Sequence, residues 1–269
     1  MGDRSVAFDE ASVRAALGAL PLGGLRVLRT VGSTNDEALT WAANGAPDLA
    51  VVVADEQTAG RGRAGRSWLT PAGTALALSM IVRGHDSVRS HPGRLTGLGA
   101  LAIAEACMSL GLPAEIKWPN DVLVRGRKVA GVLVEAIWSG AAMEAAVIGI
   151  GVNVLKGSAP PDGEALYPAT QIEAELGREP KRLDVLREVV KAVIAWRART
   201  DTPEFLMAWE GRLAFRGQHV TLIEAGRRAI EGTVLGLDSD GSLRLQQAEG
   251  ITAVQIGEVH LRPGDDRMR

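Results

Sequence analysis

Apolar positions recur with a helical period over residues 9–20 and then alternate in LRVLRTV at 25–31, which predicts a short amphipathic helix followed by a strand. Asp9 or Ser12 is placed to cap that helix. Ser33 and Thr34 precede NDEALTWAA with the Thr34-to-Glu37 interval of a capping box, so a second helix is expected to about Asn44, ended by Gly45. AVVVA at 50–54 is a buried strand. A glycine- and arginine-rich loop over 56–73 separates it from the period-two strand TALALSMIV, and an apolar helix follows around 94–110. Residues 114–138 and 142–154 alternate and are rich in β-branched residues, with turns at Arg125–Gly126 and Ser139–Gly140, so they predict the centre of a mixed or antiparallel sheet. The stretch 155–168 reads as a loop, and residues 182–200 and 203–214 as helices covering one sheet face.

From Gly217 to Arg262 the helical period disappears. HVTLIE, AIEGTVLGLD, SLRLQQ, ITAVQ and EVHLR alternate with short turns, which predicts a small barrel-like β module beginning near Phe215. The expected organisation is a lead-in over 1–25, a main domain over 26–214 and the β module over 215–269. The 269-residue chain is 46% hydrophobic and 23% charged, which excludes disordered, collagen-like and disulfide-scaffold classes. Its 30 basic against 32 acidic residues leave a net charge of −2, so no global field would hold it on nucleic acid or an anionic membrane. The single cysteine, Cys107, lies in an apolar helix, and MGDRSVAFDE lacks the apolar core of a signal peptide; both fit the cytoplasm. No stretch reads as a membrane span.

The chemistry concentrates in three places. Between Gln57 and His85 no acidic residue occurs, while Arg61, Arg63, Arg66 and Arg83 do, and Gly60, Gly62 and Gly65 let backbone N–H groups approach an anion. Two phosphate motifs fit this loop by spacing alone: G-x-G-x-x-G at Gly60, Gly62 and Gly65, and a Walker spacing from Gly60 to Ser67 with Arg66 in place of lysine. Both need a helix directly after the turn, whereas Pro71, Gly73 and a strand pattern follow. The second cluster sets Lys117, Asn120, Asp121 and Lys128 into strand patterns, and the third is Ser33, Thr34 and Asn35 before a helix. Taken singly, these also read as a solvated basic loop, a surface ion pair and a helix cap. His85 and His91 near Asp86 have no common metal-site spacing.

GRGRAGRSW, KWPND and RKVAG in that order, with STN upstream and GIGVN downstream, resemble the biotin protein ligases (biotin–[acetyl-CoA-carboxylase] ligases) over roughly residues 25–263. The resemblance implies an α+β fold: a class II synthetase-like mixed sheet with helices packed on one face, plus a small SH3-like C-terminal barrel. It implies ATP-dependent activation of biotin as biotinyl-5′-AMP, then transfer to a lysine of a biotin carboxyl carrier protein or domain, with Mg²⁺ carried by ATP. By matching motif, Ser33, Thr34, Asn35, Gln57, Gly60, Arg61, Gly62, Arg63, Lys128 and Gly131 would meet biotin. Arg61, Arg63, Arg66, Trp68, Lys117, Asn120, Lys128 and Asn153 would meet the nucleotide, and Lys128, Arg63 and Asp121 would carry catalysis, Asp121 as an orienting or proton-accepting group.

Family members with a repressor role carry an N-terminal winged helix-turn-helix. The roughly 25 residues before the first core strand are too few for one, so no operator binding is expected. A related acyl-lysine enzyme using lipoate or octanoate, and a non-catalytic binding protein, remain the rivals. A homodimer through a free sheet edge is left open. The 57–68 loop is expected to fold over the adenylate.

Overall fold

The computed structural model describes residues 8–83, 93–140, 142–161, 163, 165, 167–224, 229–255 and 259–263. His85, Asp86 and His91 lie outside them. Seven strands form one mixed sheet: β1 (Gly24–Val31), β2 (Ala50–Gln57), β3 (Ala75–Arg83), β4 (Ala114–Lys117), β5 (Asp121–Val124), β6 (Arg127–Ser139) and β7 (Ala142–Asn153). Their order is β1-β2-β3-β7-β6-β5-β4, with β1 and β2 parallel and every other pair antiparallel. The helices are α1 (Glu10–Leu17), α2 (Thr34–Ala43), α3 (Gly93–Ser109), α4 (Ile172–Leu176), α5 (Arg182–Arg197) and α6 (Pro203–Glu210).

Strand alternation divides the sheet into two unequal faces. Val51, Val53, Met80 and Val82 enter the main core with Leu98, Leu101 and Ile103 of α3 and Val189 and Val193 of α5. The intervening Val52 and Ile81 point the other way, into a smaller cluster with Ala38 and Ala42 of α2. The helices therefore do not all pack on one face: α2 lies opposite the long helices, because its alanines allow close approach to the small residues Ala50 and Ala145. This second face carries Gly131, Leu133, Gly149 and Gly151, met only by the first turn of α2 at Asn35, and there a cavity opens above the sheet.

Asp9 caps α1, its carboxylate accepting from Ser12 N at 2.8 Å. The capping box expected at α2 is not formed. Ser33 is the N-cap residue, neither side chain bonds the helix end, and Thr34 sits inside the first turn. Residues 172–176, not anticipated as a helix, form the short α4, closed by Gly177 in the left-handed region.

Strands β8 (His219–Glu224), β9 (Ile230–Leu237), β10 (Leu243–Gln247), β11 (Gly250–Val254) and β12 (Val259–Pro263) make a second, antiparallel sheet in the order β11-β10-β9-β8-β12. Val220, Leu222, Val234, Leu243 and Leu245 continue the main core. Polar ties fix the junction: Trp118 Nε1 donates to Gly241 O at 3.1 Å, Arg94 Nε to Ser239 O at 2.8 Å, and Leu237 N to Glu210 Oε2 at 2.8 Å.

Helix α3 contains Gly97, where a Cβ would overlap the Trp209 ring, and Gly99, where it would lie 2.8 Å from Val132 Cγ1. An exposed helical glycine gains up to about 1 kcal/mol on becoming alanine, but overpacking a close-packed core costs about 1–3 kcal/mol. Gly97→Ala is therefore expected to lower stability by about 1–2 kcal/mol in urea unfolding. A gain in stability would contradict the tight α3–α6 packing.

Candidate functional site

A cavity of about 710 Å³ opens on the α2 face of the seven-stranded sheet. Its floor is backbone: a Cβ at Gly149 would overlap Asn35, one at Gly151 would overlap the Trp68 indole, and one at Gly131 would lie 3.3 Å from that ring. Glycine at these three positions creates the depth.

One end is neutral and densely hydrogen bonded. Gln57 Oε1 accepts from Thr34 N at 2.8 Å and Thr34 Oγ1 at 3.1 Å, while Gln57 Nε2 donates to Thr70 Oγ1 at 3.0 Å. Ser79 Oγ donates to Asn35 Oδ1 at 2.6 Å or to Thr34 Oγ1 at 2.8 Å, one proton serving two acceptors. Asn35 Nδ2 donates to Glu135 Oε2 at 2.7 Å and Leu133 O at 3.3 Å, which fixes the orientation of its amide. Ser33, Thr34 and Asn35 are all buried.

The other end is cationic. Asp121 receives Lys128 Nζ at 2.6 Å on one oxygen and Lys117 Nζ at 3.1 Å on the other. Burial opposes ionisation of Asp121, but the ammonium groups of Lys128 and Lys117 override it and hold the carboxyl at about 2, against an ordinary 3.8. Burial pulls Lys117 below the usual lysine range, with Asp121 acting against it. The Lys117 ammonium stands 5.0 Å from the centre of the Tyr167 ring, and that of Lys128 5.3 Å from that of Trp68.

Residues 57–70 fold back as a hairpin. Gly62 N donates to Arg66 O at 2.6 Å and Trp68 N to Gly60 O at 2.8 Å, and the turn places Ala64 and Gly65 at φ of 54° and 70°. Two successive positive φ values make a type I′ turn, which follows the twist of a hairpin. Side chains anchor it across the cavity: Arg63 Nη1 donates to Asn120 Oδ1 at 3.2 Å, and Arg61 pairs with Asp36 and, at 2.7 Å, with Glu135. The chain after β7 returns along β6, with Lys128 N donating to Pro168 O at 2.7 Å and Thr170 N to Lys128 O at 2.8 Å, and brings Ser158, Pro160 and Tyr167 to the wall.

Residues 27–153 match the Biotin/lipoate A/B protein ligase family, and residues 215–262 match the Biotin protein ligase C terminal domain. The biotin–[acetyl-CoA-carboxylase] ligase of Paracoccus denitrificans is 35% identical over 243 residues, covering 87% of this chain and 98% of that protein. That of Mycobacterium tuberculosis is 35% identical over 265 residues, 95% of this chain and 96% of that protein. The chain belongs to the biotin protein ligase family. Among solved structures, the biotin protein ligase from Aquifex aeolicus in complex with biotin and ATP aligns with a TM-score of 0.76 at 29% identity, over 90% of this chain and 99% of that one.

Of the residues that the resemblance to biotin protein ligases singled out, Ser33, Thr34, Asn35, Gln57, Arg61, Gly62, Arg63, Arg66, Trp68, Lys117, Asn120, Asp121, Lys128, Gly131 and Asn153 all line the one cavity. Gly60 does not; it is buried in the hairpin, where a Cβ would overlap Trp68 O, so it serves the turn of the chain. Sequence reasoning missed Ser79, Glu135, Gly149 as floor, and Tyr167. A hydroxyl inside the apolar run ALALSMIV was the available signal for Ser79.

Cys107 is buried, and burial alone pushes its thiol up to about 12, which leaves it chemically inert. Among the described residues no three His, Cys, Asp or Glu side chains converge as a metal site, and no helix is long and apolar enough to cross a membrane.

The folded carboxyl of Asp121 titrates below its unfolded value, so its contribution to stability is complete above 3.8 and is lost as pH falls through about 2. Asp121→Asn leaves two ammonium groups facing each other and is expected to cost about 3 kcal/mol near neutrality. In urea unfolding the gap between parent and variant should narrow between pH 4 and pH 2. A gap that stays constant over that range would contradict the charge triad.

Proposed function

We propose that this enzyme joins biotin to ATP as biotinyl-5′-AMP with release of pyrophosphate, then passes the biotinyl group to a lysine of a biotin carboxyl carrier protein or domain of a carboxylase. The observation that carries this reading is the asymmetry of the cavity, lined by uncharged polar groups at Ser33, Thr34 and Gln57 and cationic at Lys117 and Lys128. Biotin matches that division. Its ureido head is uncharged and offers both N–H and C=O groups, and its tail ends in a carboxylate.

In the first step a carboxylate oxygen bonds to the α-phosphorus, and the bond to the β-phosphate oxygen breaks with its electron pair leaving on pyrophosphate. Two anions must approach each other, so preorganised cations lower the barrier where charge accumulates. We assign that task to Lys128 and to Arg63 and Arg66 of the hairpin, with Lys117 beside them. Ser33, Thr34, Asn35 and Gln57 hold the head, Arg61 and Gly62 close over the chain, and Gly131 allows close approach. Trp68, Asn120 and Asn153 serve the nucleotide. Mg²⁺ enters as part of the Mg·ATP substrate.

The second step needs a neutral amine, since an ordinary lysine titrates near 10.4. Both oxygens of Asp121 are already engaged by Lys128 and Lys117, whose charges hold its carboxyl below the ordinary range, so of the two roles open to Asp121 we assign the orienting one, aiming those two ammonium groups. We further propose that residues 1–25, 26–214 and 215–269 act as lead-in, catalytic domain and SH3-like barrel. The work is assigned to the cytoplasm, without a DNA-binding role and with a homodimer open to test.

Pyrophosphate exchange into ATP, run with biotin, lipoate and octanoate in parallel, tests the reading. Exchange is expected with biotin alone, and exchange with lipoate or octanoate but not biotin would overturn it. Lys128→Met should lower kcat by about a hundredfold or more, the cost of losing one preorganised charge donor. A kcat within twofold of the parent would remove Lys128 from the chemistry.

A further inference from the structure

Arg61 does not offer a free guanidinium to the cavity. One terminal nitrogen is taken by Asp36 of α2, and the other by both oxygens of Glu135 at 2.9 and 2.7 Å. An incoming ligand anion would have to displace a carboxylate there, whereas Lys117 and Lys128 share one carboxylate between two positive charges. The same Glu135 accepts from Asn35 Nδ2 at 2.7 Å, and Asn35 Oδ1 in turn accepts from Ser79. One carboxylate on β6 therefore touches both the arginine hairpin and the hydrogen-bond network at the neutral end of the cavity.

We propose that Glu135 is a positioning residue that latches the hairpin of residues 57–70 shut and at the same time sets the Asn35 amide that presents the ligand's head site. The latch follows from the contacts themselves; its effect on biotin rests on the functional reading above. Both neighbours donate to Glu135 Oε2, and Arg61 donates to Oε1 as well. A glutamine at this position sets an N–H group against Arg61 when its oxygen stays at the Oε2 site, and against both Arg61 and Asn35 when it is flipped. The coupling has a chemical use: a hairpin that closes only when the head site is correctly formed would shield the adenylate of the right acid from water and leave that of a wrong acid exposed.

Hydrogen exchange of the Gly62 and Trp68 amides, both bonded within the hairpin, reads its opening in the unliganded protein. Glu135→Gln should accelerate that exchange about tenfold, the low end for a half-exposed charge-assisted contact. It should also raise the biotin KM in pyrophosphate exchange about tenfold while kcat stays within threefold. Asp36→Asn, which removes only the other anchor of Arg61, should accelerate the same amides and leave the biotin KM unchanged.

Unchanged amide exchange in Glu135→Gln overturns the latch, and a KM rise of equal size in Asp36→Asn overturns the coupling. If Glu135→Gln fails to fold, parent-like amide exchange in Arg61→Met, which removes the latch from the hairpin side, overturns it instead. Absence of any biotin-dependent exchange in the parent overturns the functional reading instead, while the amide measurement still judges the latch.

Discussion

The site depends on one buried carboxylate. Asp121 lies between the ammonium groups of Lys117 and Lys128, and without it two like charges would share a poorly solvated corner of the sheet. At an effective dielectric of about 20, like charges 4 Å apart repel by about 4 kcal/mol, a sizeable share of a domain's whole stability. The carboxylate makes that corner tolerable and still leaves it one positive charge in excess. The residual charge is available to an anionic substrate, and it is aimed, because each ammonium is held by a separate carboxylate oxygen.

Strand alternation and glycine placement provide the space around that triad. The long helices α3 and α5 and the continuation of the core into the C-terminal sheet claim one face of the seven-stranded sheet, so the opposite face needs little covering. Gly131, Gly149 and Gly151 sit on that open face at alternate positions of neighbouring strands, where any side chain would fill the cavity. Rigid backbone forms the floor, while the hairpin that roofs it is held by side chains. This division suits chemistry that must admit two substrates and then exclude water.

Much of this organisation could be read from the chain because function interrupts the hydrophobic pattern. Lys117, Asp121 and Lys128 stand inside strands that would otherwise be apolar, with Asn120 in the turn between two of them, and three arginines share a loop without an acid, so both clusters declared themselves. Other parts obeyed long-range contacts that no local rule reports. Thr34 has the spacing of a helix cap, yet its hydroxyl meets Gln57, 23 residues on. Glu135 occupies a strand where an isolated acid reads as solvent-facing, and its partners lie 74 and 100 residues away. Gly60 fits a phosphate motif by spacing but serves the turn of the hairpin. The face on which α2 packs was also hidden, since a short alanine-rich helix has too weak an apolar stripe to declare its side of the sheet.

The central claim is that the cavity reads an elongated ligand by polarity, with its neutral head at Thr34 and Gln57 and its reacting anion at Lys128. A crystal structure with a non-hydrolysable sulfamoyl analogue of biotinyl-5′-AMP tests this most directly. The account predicts the ureido group within hydrogen-bond distance of Thr34 Oγ1 or the Gln57 amide, and the sulfamoyl linkage against Lys128 Nζ. A reversed ligand, with its ureido group beside Lys128 and its nucleotide at Thr34, would contradict it.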